Sequence, residues 1–132
     1  MPRVPRFLSL DLGITTGYAV YDLYGPVLVD YGDIEEEEFS GTLQRLVRAH
    51  TPSYSVAERP VIFRGELGDR LQKIINGTTF CLYPELLLVD PARWKPTPYG
   101  KAEVPKGISQ HARDAIRLGL WFENYLKGST NR

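Results

Sequence analysis

The sequence has a single cysteine, Cys81, among its 132 residues. A lone cysteine excludes a disulfide framework and a thiolate cluster for zinc, and it is typical of a reducing, intracellular compartment. No apolar run is long enough to span a bilayer. The apolar stretch near the start is interrupted by Asp11 and Gly13, which makes it a poor signal peptide. We therefore expect a cytoplasmic protein with no membrane partner.

The chain also lacks an excess of charge of either sign, because sixteen acidic residues balance sixteen basic ones. Global charge therefore predicts neither a nucleic-acid nor a membrane partner, and any DNA-binding surface has to arise from local clustering. The length suits one compact domain. We assign residues 1–127 to this domain and expect residues 128–132 to form a disordered tail.

Hydrophobic patterning predicts five strands and three helices in a defined order. Three strands come first, and helices then alternate with the last two strands. This order indicates an α/β fold with a five-stranded mixed sheet and helices packed on both faces. The predicted strands cover residues 7–12, 17–22, 27–31, 54–58 and 86–89. The first predicted helix follows the acidic run at 35–38, and the second covers 67–75 and ends at Asn76-Gly77. The third runs from the cap Ser109 to about Lys127, and we expect a mobile loop at 90–107.

Asp11 stands out because it ends the apolar strand Phe7-Leu8-Ser9-Leu10-Asp11. A carboxylate on a buried strand costs several kcal/mol of desolvation unless a charged group compensates it. A metal ion, or a metal bound to phosphate, is the compensator expected near neutral pH. Asp11 is therefore a candidate catalytic ligand.

Three further polar residues lie at positions that the hydrophobic pattern predicts to face the interior of the fold. Glu58 ends the fourth strand, and His111 and Asp114 lie in the first turns of the last helix. At about 100° per residue both helix residues point toward the sheet. Each alone has a simpler explanation: a solvated strand end, a core histidine, or an aspartate paired with a nearby arginine. Together they favour a site.

The motifs resemble the RuvC-type Holliday junction resolvases, especially their short, phage-type variants. The matching segments, in order, are Asp11-x-Gly13, Thr16-Gly17-Tyr18-Ala19-Val20, Val56-Ala57-Glu58 and His111-Ala112-Arg113-Asp114-Ala115. The resemblance implies an RNase H-like fold and a protein that acts in the cytoplasm, which for a phage-encoded protein is the cytoplasm of the host.

By this resemblance Asp11 would bridge two divalent metal ions, Mg²⁺ with Mn²⁺ as a substitute. Glu58 would hold one ion, and Asp114 and His111 would complete the other side. Two such ions suit phosphodiester hydrolysis, one activating water and the other stabilising the leaving oxyanion. The family implies 5′-phosphate and 3′-hydroxyl products.

Branched DNA is the expected partner, since residues 93–113 carry a local excess of positive charge. Trp94 and Tyr99 lie among these bases and could stack on unpaired bases. Phe63 could wedge into a junction or pack on the core. The near two-fold symmetry of a junction suggests a homodimer, with the 66–77 helix as a core element or the dimer seam. The DNA-binding candidates are Arg59, Phe63, Arg64, Arg93, Lys95, Lys101, Lys106 and Arg113, with Lys101 and Lys106 the candidates for approaching the scissile phosphate.

Three other functions remain open. A YqgF-type RNA-processing nuclease shares the Asp-x-Gly strand and the fold. Sugar kinases and actin-like ATPases begin a phosphate loop with Asp-x-Gly-x-Thr, but they need two lobes and this chain has room for one. A branched-DNA-binding module with an inactive site is the non-enzymatic alternative.

Overall fold

We analysed a computed structural model of the chain, which describes residues 4–23, 25–60, 64–82 and 86–130. Over these ranges none of the helices combines the length and the apolarity that a membrane crossing requires. Phe63, which was predicted to wedge into a junction or to pack on the core, lies outside the described residues.

A five-stranded sheet with the order β3-β2-β1-β4-β5 forms the centre of the fold. β1 pairs antiparallel with β2 and parallel with β4, β2 pairs antiparallel with β3, and β4 pairs parallel with β5. The predicted mixed sheet is therefore confirmed. The strands are β1 (Arg6–Asp11), β2 (Thr15–Asp22), β3 (Val27–Glu35), β4 (Tyr54–Glu58) and β5 (Leu86–Val89).

In the described residues four α-helices and two short 3₁₀ turns accompany the sheet. The acidic residues Glu36–Glu38 form a 3₁₀ turn before α1, and Pro98–Lys101 form the second turn. The helices are α1 (Phe39–His50), α2 (Glu66–Leu82), α3 (Pro91–Trp94) and α4 (Gln110–Thr130).

Helices cover both faces of the sheet because β1 alternates buried side chains between two cores. Leu8 and Leu10 join the core formed with α1 and α2, whereas Phe7 joins the core formed with α4. Alternation along a strand places Ser9 and Asp11 on the same face as Phe7. Asp11 therefore faces α4.

Several predicted segments differ from the structure. β3 was predicted to cover 27–31 and continues to Glu35, since its last residues pair with the start of β2. α2 does not end at Asn76-Gly77 but continues to Leu82, since the side chains of Thr78 and Leu82 in its last turns are buried. That packing outweighs the cost of about 1 kcal/mol for a glycine inside a helix.

The predicted mobile loop at 90–107 contains α3 and a 3₁₀ turn, and it is anchored by the fully buried ring of Trp94. The last helix is capped by Ser109 as predicted, with its Oγ accepting from the Ala112 N–H at 3.0 Å. It continues to Thr130, three residues past the predicted end.

Candidate active site

Asp11 and Glu58 lie side by side at the carboxyl ends of two neighbouring parallel strands. The register of β1 and β4 pairs these two residues directly. Val56, two residues before Glu58, packs in the same core as Phe7, so Glu58 shares the face of Asp11. Their side chains are only 12% and 7% exposed. The sheet therefore places two nearly buried carboxylates together, facing α4.

Gly17 allows the start of α4 to approach Asp11. It pairs with Asp11 across β1 and β2. A Cβ atom at this position would lie 2.0 Å from the backbone oxygen of His111, far inside van der Waals contact. Only glycine permits this approach. The Thr16-Gly17-Tyr18 motif thus has a structural role in the site.

Two hydrogen bonds fasten α4 to the strands beside the site. The Ser9 hydroxyl donates to the Ala115 carbonyl oxygen at 2.7 Å, and the Tyr21 hydroxyl donates to that of Ile116 at 3.0 Å. Burial raises the pKa of Tyr21, so this hydroxyl keeps its proton. These bonds fix the helix relative to β1 and hold its first turn next to the carboxylates.

The carboxylate pair is electrostatically strained. Burial, a hydrogen bond with Glu58 and the negative charges of Glu58 and Asp114 raise the pKa of Asp11 to about 9, while Lys95 opposes the rise. Glu58 Oε1 is buried and has no hydrogen-bond partner among the described residues. A cation bound between the two carboxylates would relieve both effects.

His111 and Asp114 lie at the margin of this pair. His111 Nδ1 is 3.4 Å from Asp11 Oδ2, but the histidine side chain is 48% exposed. Asp114 Oδ1 accepts a hydrogen bond of 2.9 Å from the Gln110 amide. In the described part of the chain, no three histidine, cysteine or carboxylate side chains are arranged to hold one ion as they stand. Asp11 and Glu58 are the two carboxylates that could hold a divalent cation between them, since their oxygen atoms are ligands of the type that Mg²⁺ and Mn²⁺ prefer.

Lys95 also belongs to the site, although sequence reasoning assigned it only to the DNA-binding surface. Its Nζ lies 3.4 Å from Glu58 Oε1, an ion pair without hydrogen-bond geometry, and 5.7 Å from the centre of the Trp94 ring. The basic segment was recognisable in the sequence, but the position of this lysine depends on α3, which was predicted to be a loop.

The remaining DNA-binding candidates are spread over several surfaces. Arg59 is exposed and pairs loosely with Asp90 at 3.7 Å. Arg93 packs over Trp121 and Tyr125, with 5.2 and 5.3 Å to the ring centres, well along α4 from His111. The other described candidates, Arg64, Lys101, Lys106 and Arg113, are exposed or half-buried.

The predicted stacking of Trp94 on an unpaired base is wrong for this structure, because its ring is fully buried. Tyr99 is half-buried and packs against the same core. Sequence reasoning also missed Ser9 and Gln110, whose partners only the fold reveals.

Comparison with known proteins identifies solved structures that have a similar fold. No protein-family model matches the sequence, and no curated protein matches it significantly. Among solved structures, the RuvC protein of Thermus thermophilus in complex with its Holliday junction substrate matches with a TM-score of 0.76 and 13% identity, covering 96% of this chain and 97% of that one. The fowlpox virus resolvase, solved with Holliday junction DNA, has a TM-score of 0.64 and 14% identity, covering 92% and 98%. The yeast mitochondrial Holliday junction resolvase Ydc2 has a TM-score of 0.57 and 15% identity, covering 97% and 84%.

At 13–15% identity these likenesses establish the fold. The chain has the RNase H-like fold of the RuvC-type resolvases over nearly its whole length, which confirms at that level the resemblance seen in the sequence.

Proposed function

We propose that this chain is a RuvC-type, divalent-metal-dependent endonuclease that resolves four-way DNA junctions. The observation that carries the proposal is the buried Asp11–Glu58 pair at the ends of two parallel strands, with one carboxylate oxygen left without a hydrogen-bond partner. The similar folds of resolvases solved with Holliday junction DNA support branched DNA as the partner.

Asp11 and Glu58 would hold the metal, and Asp114 and His111 would complete the ligand set, which requires Asp114 to release its hydrogen bond from Gln110. Two Mg²⁺ ions, or Mn²⁺ in their place, would supply water activation and stabilisation of the leaving oxyanion. Water would add to the phosphorus while the bond to the 3′ oxygen breaks, leaving a 5′-phosphate and a 3′-hydroxyl.

The protein itself would contribute orientation and charge. The paired strand ends and the α4 first turn hold the carboxylates in place before substrate binds, which lowers the cost of organising the site. Lys95 is half-exposed beside Glu58, so its ammonium group can contact a DNA phosphate at the site.

We also propose that the active form is a homodimer, because symmetric cleavage of a junction needs two opposed sites. An exposed apolar side chain on α2 supports this arrangement, since Phe80 is 88% exposed. Sedimentation equilibrium of the wild type and of Phe80→Ser tests it, with a monomeric wild type contradicting the proposal.

A cleavage assay with a metal series tests the function. Purified protein with Mg²⁺ or Mn²⁺ should nick a four-way junction at paired, symmetric positions and leave ends that a ligase can seal. Asp11→Asn should abolish cleavage and retain junction binding, whereas the matched variant Asp22→Asn, at the far end of β2, should still cleave. Robust cleavage by Asp11→Asn would refute the assignment.

The same assay separates the alternative functions. Faster cleavage of structured RNA than of junction DNA would identify an RNA-processing nuclease. Tight, salt-sensitive junction binding with no cleavage under any divalent metal would identify an inactive binding module.

A further inference from the structure

A basic cleft opens on the outer side of α4, between this helix and the segment that leads into it. Its volume is about 590 Å³. It contains three cationic side chains and one carboxylate. The lining residues are Glu103, Val104, Pro105, Lys106, Gly107, Arg113 and Arg117.

Two arginines in this cleft are held in place by backbone carbonyl groups. Arg113 Nε and Nη2 both donate to the Ile108 carbonyl oxygen, at 3.3 and 3.2 Å. Arg117 Nε donates to the Ala102 carbonyl oxygen at 3.0 Å. Each guanidinium keeps further N–H groups that these bonds do not use. Both side chains are therefore fixed before any ligand arrives, which lowers the entropy cost of binding one.

The three cationic side chains of the cleft outnumber its one carboxylate, that of Glu103. Arg113 and Arg117 are four residues apart on one helix face, where like charges repel. Within the described ranges neither guanidinium forms an ion pair with a carboxylate, although Glu103 lines the same cleft. Pre-positioned guanidinium groups that form no ion pair with a carboxylate are suited to a phosphate oxyanion.

The cleft is separated from the carboxylate pair by the helix itself. Ala115 and Leu118 face the sheet, and at 100° per residue Arg113 and Arg117 project from the opposite side of α4. A helix with its side chains is about 10–12 Å across. Successive phosphates of one DNA strand are spaced roughly 3.4 Å apart along the duplex axis, so a few nucleotides of one DNA molecule span this distance.

We infer that the Arg113–Arg117 cleft binds a backbone phosphate of the substrate DNA, distinct from the phosphate that is cleaved. This inference rests on the proposed junction-resolving function and adds a contact that positions the DNA. Arg117, which was not among the DNA-binding candidates predicted from the sequence, supplies one of the two guanidinium groups of this contact.

The test is junction binding in Ca²⁺ or without divalent metal, measured over a series of NaCl concentrations. The double variant Arg113→Gln/Arg117→Gln should bind a four-way junction roughly 10- to 100-fold more weakly at about 150 mM salt, and the slope of log K against log [salt] should become shallower by about 1 to 2. The matched control Arg45→Gln/Arg48→Gln removes the same charge from exposed positions on α1, across the sheet from α4, and should change both quantities much less.

Each outcome decides the inference. An equal effect of the two double variants would show a general charge effect and overturn it. If inorganic phosphate raises the melting temperature of the wild type but not of the α4 double variant, while junction binding is unchanged, the cleft binds a free anion and the DNA contact is wrong.

Lys106→Gln provides a second test that breaks no hydrogen bond, because Lys106 lies on the exposed rim of the cleft. It should make the salt slope shallower by about 1, and an unchanged slope would count against the inference even if the arginine variants fail to fold. A wild type that does not bind junctions would overturn the proposed function itself, whereas unchanged binding by the variants alone removes only the cleft.

Discussion

Replacing Asp11 by Asn should stabilise the metal-free protein while removing its response to divalent metals. In the metal-free protein the raised pKa of about 9 lies far above the ordinary value of 3.8. The folded state therefore holds a proton that the unfolded state releases between these two values, and stability falls as the pH rises through this window. The slope is at most about 1.4 kcal/mol per pH unit.

Asn cannot ionise, so the variant lacks this pH dependence. Because Asp11 is nearly buried against a second carboxylate, we expect the Asn variant to gain on the order of 2 kcal/mol over the wild type at pH 7. For a chain of this size that corresponds to an increase in melting temperature of about 6–10 °C. The gain should shrink toward pH 4 and grow toward pH 9.

Thermal unfolding at several pH values, with and without Mg²⁺ or Mn²⁺, measures both effects. Metal at 100 times its dissociation constant should stabilise the wild type by about 2.7 kcal/mol and leave Asp11→Asn unchanged. Asp22→Asn is the matched control with the opposite sign. Asp22 accepts a hydrogen bond from Arg6 Nε at 3.0 Å, and the amide oxygen of the variant could still accept it but would lack the negative charge, which should destabilise the protein. A metal-induced shift in Asp11→Asn equal to that of the wild type, or a destabilised Asp11→Asn, would refute the reasoning.

Two further substitutions test the architecture around this pair. Gly17→Ala should destabilise the protein by about 2–4 kcal/mol in urea unfolding, because its Cβ would meet the His111 backbone. Gly41→Ala, a helical glycine with open space around it, should be neutral or stabilise by up to about 1 kcal/mol, and equal costs at the two glycines would contradict the close approach of α4. Lys95→Gln should slow junction cleavage by roughly 10- to 100-fold, since its ammonium group lies 3.4 Å from Glu58; an unchanged single-turnover rate would remove Lys95 from the site.

Much of the fold was predictable because its signals are local. Alternating and continuous apolar runs identified all five strands, and apolar spacing located α1, α2 and α4. The errors arose where tertiary packing overrides local preference. α2 continues past Asn76-Gly77 because Thr78 and Leu82 bury their side chains in its last turns.

The sequence by itself determined that Asp11 and Glu58 end two buried strands and that His111 and Asp114 begin the last helix. Strand ends are read from neighbouring residues, so no tertiary information was needed. Only the tertiary structure decided that β1 and β4 are neighbours and pair Asp11 with Glu58. It also decided that the start of α4 packs closely against Gly17 and that Lys95 lies beside Glu58. These facts depend on contacts between residues distant along the chain, which propensity and periodicity do not encode.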